Sequence, residues 1–139
     1  MSWGGEFVFL VLGSVVAWQI YRHQKLDHAI GDVVGLIHQM EEKGCQYWGM
    51  DQAQPECHAL AIEIKRLNKR LGAEISDLKE HCSGFRLRSY LPMTAFRQAV
   101  TGDEFEQVGR CADQERIERI YRTSTDFVRE IRKAKGLWV

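Results

Sequence analysis

The feature that most constrains this chain is an uncharged, apolar run close to its N-terminus. No charged residue occurs between Glu6 and Arg22, and residues 7–21 are mostly aliphatic or aromatic. At about 1.5 Å of rise per residue, a helix from Trp3 to Tyr21 is roughly 27 Å long, close to the thickness of the hydrocarbon core of a bilayer. The run therefore predicts a single membrane-spanning helix.

The residues that flank the run support the same prediction. Aromatic rings prefer the interface between membrane and water, and basic residues are common just beyond a spanning helix. We assign residues 1–22 as the anchor and predict four side chains at the interface: Trp3, Trp18, Tyr21 and Arg22. A cleaved signal peptide stays open, although residues 1–6 contain no Lys or Arg. A buried helix of a soluble core also stays open, because the run is short.

After the anchor, apolar residues recur in steps of three and four, which is the spacing of a heptad seam. One seam comprises Leu26, Ile30, Val33, Ile37 and Met40, and a second comprises Leu60, Ile64, Leu67, Leu71, Ile75 and Leu78. We expect one continuous helix over residues 5–42, ending near Gly44. A second helix over residues 56–82 is then expected to fold back as an antiparallel hairpin.

Two further helices complete the predicted fold. Pro92 suits the start of a short helix over residues 92–101, and the spacing of residues 101–104 fits the capping box of a last helix. That helix is expected to end at Gly136, leaving residues 137–139 as an apolar tail. The sequence thus predicts an all-α protein, in which a single N-terminal transmembrane helix continues into an antiparallel bundle of about four helices over residues 23–136. The same seams fit a homo-oligomer as well as an internal hairpin.

The chain contains four cysteines, namely Cys45, Cys57, Cys82 and Cys111. An even count in a short exported domain predicts two disulfides. Cys57 and Cys82 lie roughly 37 Å apart along an unbroken helix, which leaves Cys45–Cys57 and Cys82–Cys111 as the pairs. Free buried thiols are the alternative.

The cysteines and the charges disagree about orientation. Arg22 and Lys25 follow the apolar run, and the positive-inside rule then places the bundle in the cytoplasm. Disulfides instead require an oxidising compartment. We expect a single-pass protein of the inner or plasma membrane whose C-terminal domain is extracytoplasmic.

Four side chains are candidates for contact with a partner. The predicted loop over residues 45–55 carries Tyr47, Trp48 and Met50, and the tail carries Trp138. A cluster of exposed aromatic residues marks a binding surface more often than single ones do. The alternative is that the loop residues cover the end of the bundle.

The sequence offers no support for catalysis or for nucleic-acid binding. It has no glycine-rich phosphate loop, no nucleophile elbow and no zinc-protease motif, so we expect no catalytic residue, no cofactor and no resident metal. Lys and Arg number 19 and equal Asp and Glu, which gives a net charge of zero and does not favour a nucleic-acid partner. A metal site of Cys57, His58, His81 and Cys82 would need the second helix to bend at Gly72.

The chain has a very short N-terminus, one anchor that ends in aromatic residues and an arginine (residues 18–22), and a helical region with cysteines. This layout resembles that of phage inner-membrane spanins, whose helical region is exported. The resemblance implies an envelope-spanning or lysis role. From the residues we expect a non-enzymatic, membrane-anchored helical module that binds or scaffolds a protein partner at the cell envelope, with membrane lipid around its anchor. One alternative is an accessory subunit of a larger membrane complex, packed through Gly13 and Ser14. The other is a cytoplasm-facing regulator or metal sensor.

Overall fold

The described part of the chain forms four helices, in agreement with the prediction of about four. The computed structural model describes residues 3–136, without the side chain of Trp3. The helices are α1 (Trp3–Trp48), α2 (Pro55–His81), α3 (Leu91–Thr101) and α4 (Gln114–Lys133). Within residues 3–136 no strand forms, and only an isolated bridge joins Phe85 to Lys135. The all-α prediction is confirmed, while Trp138 and the predicted tail over residues 137–139 lie outside the described residues.

The first helix has two halves with different surroundings. It is 46 residues long and unbroken, so it extends for about 69 Å at 1.5 Å per residue. No side chain of residues 4–25 is buried, whereas the whole predicted seam from Leu26 to Met40 is buried. We call residues 4–25 the free half of α1. Because an uncovered helix cannot be the core of this domain, the soluble-core alternative is wrong for the described chain.

The other three helices pack around the second half of α1 in an up-down-up-down order. At one end, Arg22 donates a hydrogen bond to the Ser83 hydroxyl, just after α2. At the other end, the Asp113 amide donates to the carbonyl of Trp48, with N and O 2.8 Å apart. We call these the proximal end, next to the free half, and the distal end. The predicted antiparallel hairpin of α1 and α2 is therefore present.

The first helix continues past the predicted stop near Gly44 and includes residues 45–48 of the predicted loop. Gly44 is buried where α1 approaches two other helices. A Cβ atom there would lie 3.2 Å from Val100 Cγ1 and 3.4 Å from Ile120 Cδ1. Gly44 thus serves close helix packing and does not terminate the helix.

The last helix begins later than the capping-box spacing predicts. Residues 102–113 form an irregular segment in which Asp103 (φ 52°) and Glu106 (φ 63°) adopt the left-handed conformation. The cap is Asp113, whose carboxylate accepts a hydrogen bond of 2.9 Å from the Arg116 amide. Aspartate at this position satisfies one of the free amides of the first helical turn.

Candidate functional site

Three of the four predicted interfacial residues lie where the free half of α1 meets the bundle. Trp18 is 54% exposed and Tyr21 is 61% exposed. The guanidinium of Arg22 lies 4.6 Å from the centre of the Trp18 ring. The side chain of Trp3 is outside the described residues. Two large amphipathic rings and a cation are thus presented together, which is the combination found at membrane interfaces.

The connection between α2 and α3 and the end of α4 pack against the same level of α1. The Arg86 amide donates to the Ala134 carbonyl at 2.8 Å, and the Gly136 amide donates to the Gly84 carbonyl at 2.7 Å. Phe85 fills the space beneath this connection and is buried. These contacts hold residues 82–90 at the proximal end as an ordered segment.

Two open clefts lie on either side of Cys82 at this end. The larger has a volume of about 490 Å³ and is lined by Lys79, Cys82, Ser83, Phe85, Arg86, Leu87 and Tyr90. The smaller has a volume of about 160 Å³ and is lined by Trp18, Tyr21, Arg22, Lys25, Leu26, His81 and Cys82. We call them the proximal clefts. Both combine cations with apolar surface.

A third concave surface runs between α1 and α4. This α1–α4 groove has a volume of about 510 Å³ and is lined by His38, Ser124, Thr125, Val128, Arg129, Arg132 and Lys133. Val128 forms an apolar floor, and the three basic side chains are exposed. His38 lies on α1 about 24 Å beyond Arg22 along the helix axis. Arg132 and Lys133 lie at the end of α4, so the groove runs from the middle of the bundle toward the proximal end.

The aromatic residues predicted to contact a partner are buried at the distal end. Tyr47 and Trp48 are each 1% exposed, so the prediction of an exposed aromatic loop is wrong for both, and only Met50 is partly exposed. The Trp48 indole donates to the Val100 carbonyl at 2.9 Å. The Tyr47 hydroxyl accepts from the Glu106 amide at 2.8 Å. The rings therefore cover the end of the bundle.

Two buried arginines complete this distal cluster. The guanidinium of Arg110 lies 4.6 Å from the Trp48 ring centre and that of Arg116 lies 4.4 Å from it. Arg110 donates to the carbonyls of Met50 and Tyr47, each at 3.2 Å. Cations near an indole are attracted by its π electrons, most strongly where water is excluded. The distal cluster closes the bundle, and an open cleft of about 330 Å³ lies beside it, lined by Trp48, Asp103, Glu104, Asp113, Arg116 and Arg119.

The predicted disulfides do not form, and all four cysteines are free. Cys57 is buried and its sulfur accepts a hydrogen bond from Arg110 at 3.2 Å, which places Cys111 at the distal end too. Cys82 caps the other end of α2. Because α2 is unbroken, Cys82 and Cys111 lie at opposite ends of the bundle. Cys45 and Cys57, the other predicted pair, have different neighbours. Cys45 lies beside Tyr121 of α4, whereas the sulfur of Cys57 accepts from Arg110.

The contact between Cys45 and Tyr121 changes the acidity of both groups. Burial raises the pKa of the Cys45 thiol; the Glu41 carboxylate also raises it, and the hydrogen bond with Tyr121 partly opposes the change. The same hydrogen bond raises the pKa of the Tyr121 hydroxyl. Cys45 is therefore a protonated, weakly nucleophilic thiol at neutral pH.

The four-residue metal site is also ruled out by the continuity of α2. Gly72 lies inside the helix, so it does not bend the chain to bring Cys57 and His58 to His81 and Cys82. At the proximal end of α2, Asp77, Glu80 and His81 place one ligand atom each within 4.8 Å of one another. All three side chains are exposed, as acidic helix surfaces commonly are.

Sequence reasoning missed the arginines of the distal cluster and the proximal clefts. Arg110 has no periodic position, so its burial depends on the path of residues 102–113. Arg86 and Lys79 are separated in sequence and come together only through the turn after α2. Comparison of the chain with models of protein families, with curated proteins and with solved structures gave no match.

Proposed function

We propose that the protein is a non-enzymatic, single-pass membrane module that presents a rigid helical bundle to a protein partner at the membrane surface. The observation that carries this proposal is the continuity of α1. Its free half is apolar, uncovered and long enough to cross a bilayer. Its second half is the central element of the bundle, and no hinge separates the two.

The bundle lies on the cytoplasmic side in this proposal, which reverses the orientation expected from the cysteines. The opposite locations of Cys82 and Cys111 remove the argument for two disulfides. What remains is the basic character of Arg22 and Lys25 directly after the apolar run, which favours the cytoplasm.

The exposed thiol of Cys111 offers a test of orientation without any mutation. A membrane-impermeant maleimide applied to intact cells or spheroplasts is expected to leave Cys111 unmodified and to label it after the membrane is opened. Peptide-resolved mass spectrometry measures the modification. Labelling of Cys111 in sealed cells would contradict the cytoplasmic orientation.

The partner is expected to bind the α1–α4 groove through an acidic segment. Arg129, Arg132 and Lys133 line the groove around the apolar floor formed by Val128. Complementary charge steers and orients such contacts. The His38 end of the groove lies about 24 Å from Arg22 along α1, which is beyond the headgroup layer when α1 stands upright, so that end is open to a protein and not to a lipid.

Site-directed photocrosslinking in living cells tests the groove. A photoreactive residue in place of Thr125 is expected to give one discrete protein adduct. The double variant R129E/R132E is expected to abolish that adduct. Ile62 on α2 is 43% exposed and outside the groove, so a probe there is the matched control. Equal adducts from positions 62 and 125, or an adduct unaffected by the charge reversal, would refute the groove as the partner site.

A second function, that of an accessory subunit within a larger membrane complex, is favoured by the free half itself. A Cβ atom on Gly13 would meet nothing within 4 Å, and the Ser14 hydroxyl is satisfied by the Leu10 carbonyl at 2.9 Å. Small residues allow helices in a membrane to approach closely. The variant G13L is expected to disrupt co-purification with membrane partners, whereas G31A on the bundle half should not. An intact complex with G13L would exclude this role.

A further inference from the structure

The charges of this neutral chain are separated between the two ends of the bundle. The basic residues at or near the proximal end are Arg22, Lys25, Lys79, Arg86, Arg88, Arg132, Lys133 and Lys135. The acidic residues there are Asp27, Asp32, Glu74, Asp77, Glu80 and Glu130. The distal end has ten acidic residues, Glu41, Glu42, Asp51, Glu56, Asp103, Glu104, Glu106, Asp113, Glu115 and Glu118, against six basic ones, Lys43, Lys65, Arg110, Arg116, Arg119 and Arg122. The fold therefore turns a positive face toward the free half of α1.

Apolar side chains accompany these cations at the start of α3. Leu91 is 76% exposed and Tyr90 is 41% exposed. The Lys79 ammonium lies 5.4 Å from the centre of the Tyr90 ring, at the edge of the larger proximal cleft. Cations mixed with exposed aromatic and aliphatic groups are characteristic of surfaces that rest on a membrane.

The chemistry of the larger cleft suits a phosphate group attached to an apolar body. Lys79 and Arg86 supply positive charge, and the Ser83 hydroxyl supplies a further donor. Ionised donors form the strongest hydrogen bonds to phosphate oxygens. Leu87 and Tyr90 provide apolar surface beside them.

The location of the clefts distinguishes a lipid from other anions. The smaller cleft contains Trp18 and Tyr21, at the point where the apolar run ends, and it shares Cys82 with the larger cleft. If the free half spans the bilayer, both clefts lie at the height of the lipid headgroups. We propose that the proximal clefts bind the headgroup of an anionic phospholipid, an inference that rests on the membrane anchoring proposed above.

The test uses the full chain in nanodiscs that contain phosphatidylcholine and phosphatidylglycerol. After release from the disc, native mass spectrometry measures which lipid remains bound. The wild type is expected to retain phosphatidylglycerol in excess of its share of the bilayer. The variant K79Q/R86Q/R88Q should lose this preference by at least about tenfold, because each basic residue near an anionic surface contributes on the order of fivefold.

Two further variants separate a specific site from general charge. R66Q/K69Q/R70Q removes three exposed cations from the middle of α2 and should retain the preference. R86K/R88K keeps the charge and should also retain most of it. Equal loss in the two glutamine variants, or full preference in K79Q/R86Q/R88Q, would overturn the lipid site.

Two control experiments distinguish a lipid site from a site for another anion, and a failure of this inference from a failure of the proposed anchoring. Displacement of the bound lipid by inorganic phosphate alone, or by an acidic peptide, would show that the clefts select an anion of another class and would overturn the lipid assignment. Alkaline extraction of native membranes tests the anchor separately. Extraction of the protein would refute the proposed anchoring and this inference with it, whereas retention without a lipid preference would refute this inference alone.

Discussion

At the scale of single residues, Trp48 is the position on which the distal end depends. Its indole donates to the Val100 carbonyl, and its ring centre lies within 4.6 Å of the guanidiniums of both Arg110 and Arg116. Arg116 also donates to the Asp103 carboxylate, at 3.0 Å. Asp103 adopts a left-handed conformation that is costly for a residue with a side chain. The arginine therefore links the irregular segment to the core.

Replacement of Arg116 tests this link. R116L is expected to lower the free energy of unfolding by about 2 kcal/mol, because it removes charged hydrogen bonds and a cation–π contact while the exposed Asp103 carboxylate can still be hydrated. Arg119 on the same helix is partly exposed and pairs with Glu115 at 3.8 Å. The control R119L should change stability by less than about 0.5 kcal/mol. Urea denaturation measures both, and equal losses would contradict the role of Arg116.

The four thiols are expected to differ in reactivity. Cys111 is exposed and should react with iodoacetamide fastest in the folded protein, whereas the buried Cys57 should react only on unfolding. The raised pKa of Cys45 means that its thiolate forms at higher pH than in an ordinary cysteine. Its alkylation rate in the folded protein should therefore still be rising at a pH where that of Cys45 in the unfolded chain has levelled off. Rates measured per peptide across pH test this order, and coincident profiles would contradict it.

The raised pKa of Cys45 also determines how the stability of the folded protein changes with pH. The folded state favours the neutral Cys45 thiol, so this contribution to stability is fully present below the pKa of a cysteine in the unfolded chain. It is lost as the pH rises through the higher folded-state pKa. Removal of the thiol in C45A should weaken this loss of stability at alkaline pH, although it also removes a packed side chain.

At the scale of elements, two glycines of α1 have opposite roles. Gly31 is exposed and a Cβ there would meet nothing within 4 Å, while Gly44 lies against Val100 and Ile120. G31A should raise the free energy of unfolding by about 0.5–1 kcal/mol, because alanine is a better helix former. G44L should lower it by about 1–3 kcal/mol through overpacking. Thermal or urea unfolding of both variants measures the difference, and stabilisation by G44L would contradict the close approach seen here.

The periodic elements of this fold could be predicted from the sequence, whereas the features that depend on residues distant in sequence could not. The seam from Leu26 to Met40 and the seam on α2 are periodic, so the hairpin could be predicted from local pattern alone. The end of α1 could not be predicted in this way. A glycine such as Gly44 commonly terminates a helix, and its close packing against Val100 cannot be read from the local sequence. The burial of Tyr47 depends on residues 102–113, which are distant in sequence. The proximal clefts likewise need the tertiary fold to bring Lys79 and Arg86 together beside Cys82.

At the scale of the whole molecule, the free half and the bundle share a helix but little packing. Among the described residues, the contacts that join residues 82–90 to residues before Leu26 are the hydrogen bond from Arg22 to Ser83 and the lining of the smaller cleft. Contacts of this exposed kind contribute less than about 1 kcal/mol. The bundle core begins at Leu26 and contains side chains from all four helices. The stability of the bundle should therefore be nearly independent of the free half.

Deletion of residues 1–22 tests whether the bundle is stable without the free half. It also tests whether the free half of α1 anchors the protein while the second half forms the bundle. The truncated chain is expected to be soluble and helical, and to unfold within about 1 kcal/mol of the full chain, because the lost contacts are exposed. It should also leave the membrane fraction, since the apolar run is gone. Circular dichroism, urea denaturation and cell fractionation measure these outcomes. A truncated chain that stays with membranes would show that the proximal cations and Leu91 hold the bundle to lipid unaided, whereas an unfolded chain would show that the free half belongs to the folding unit.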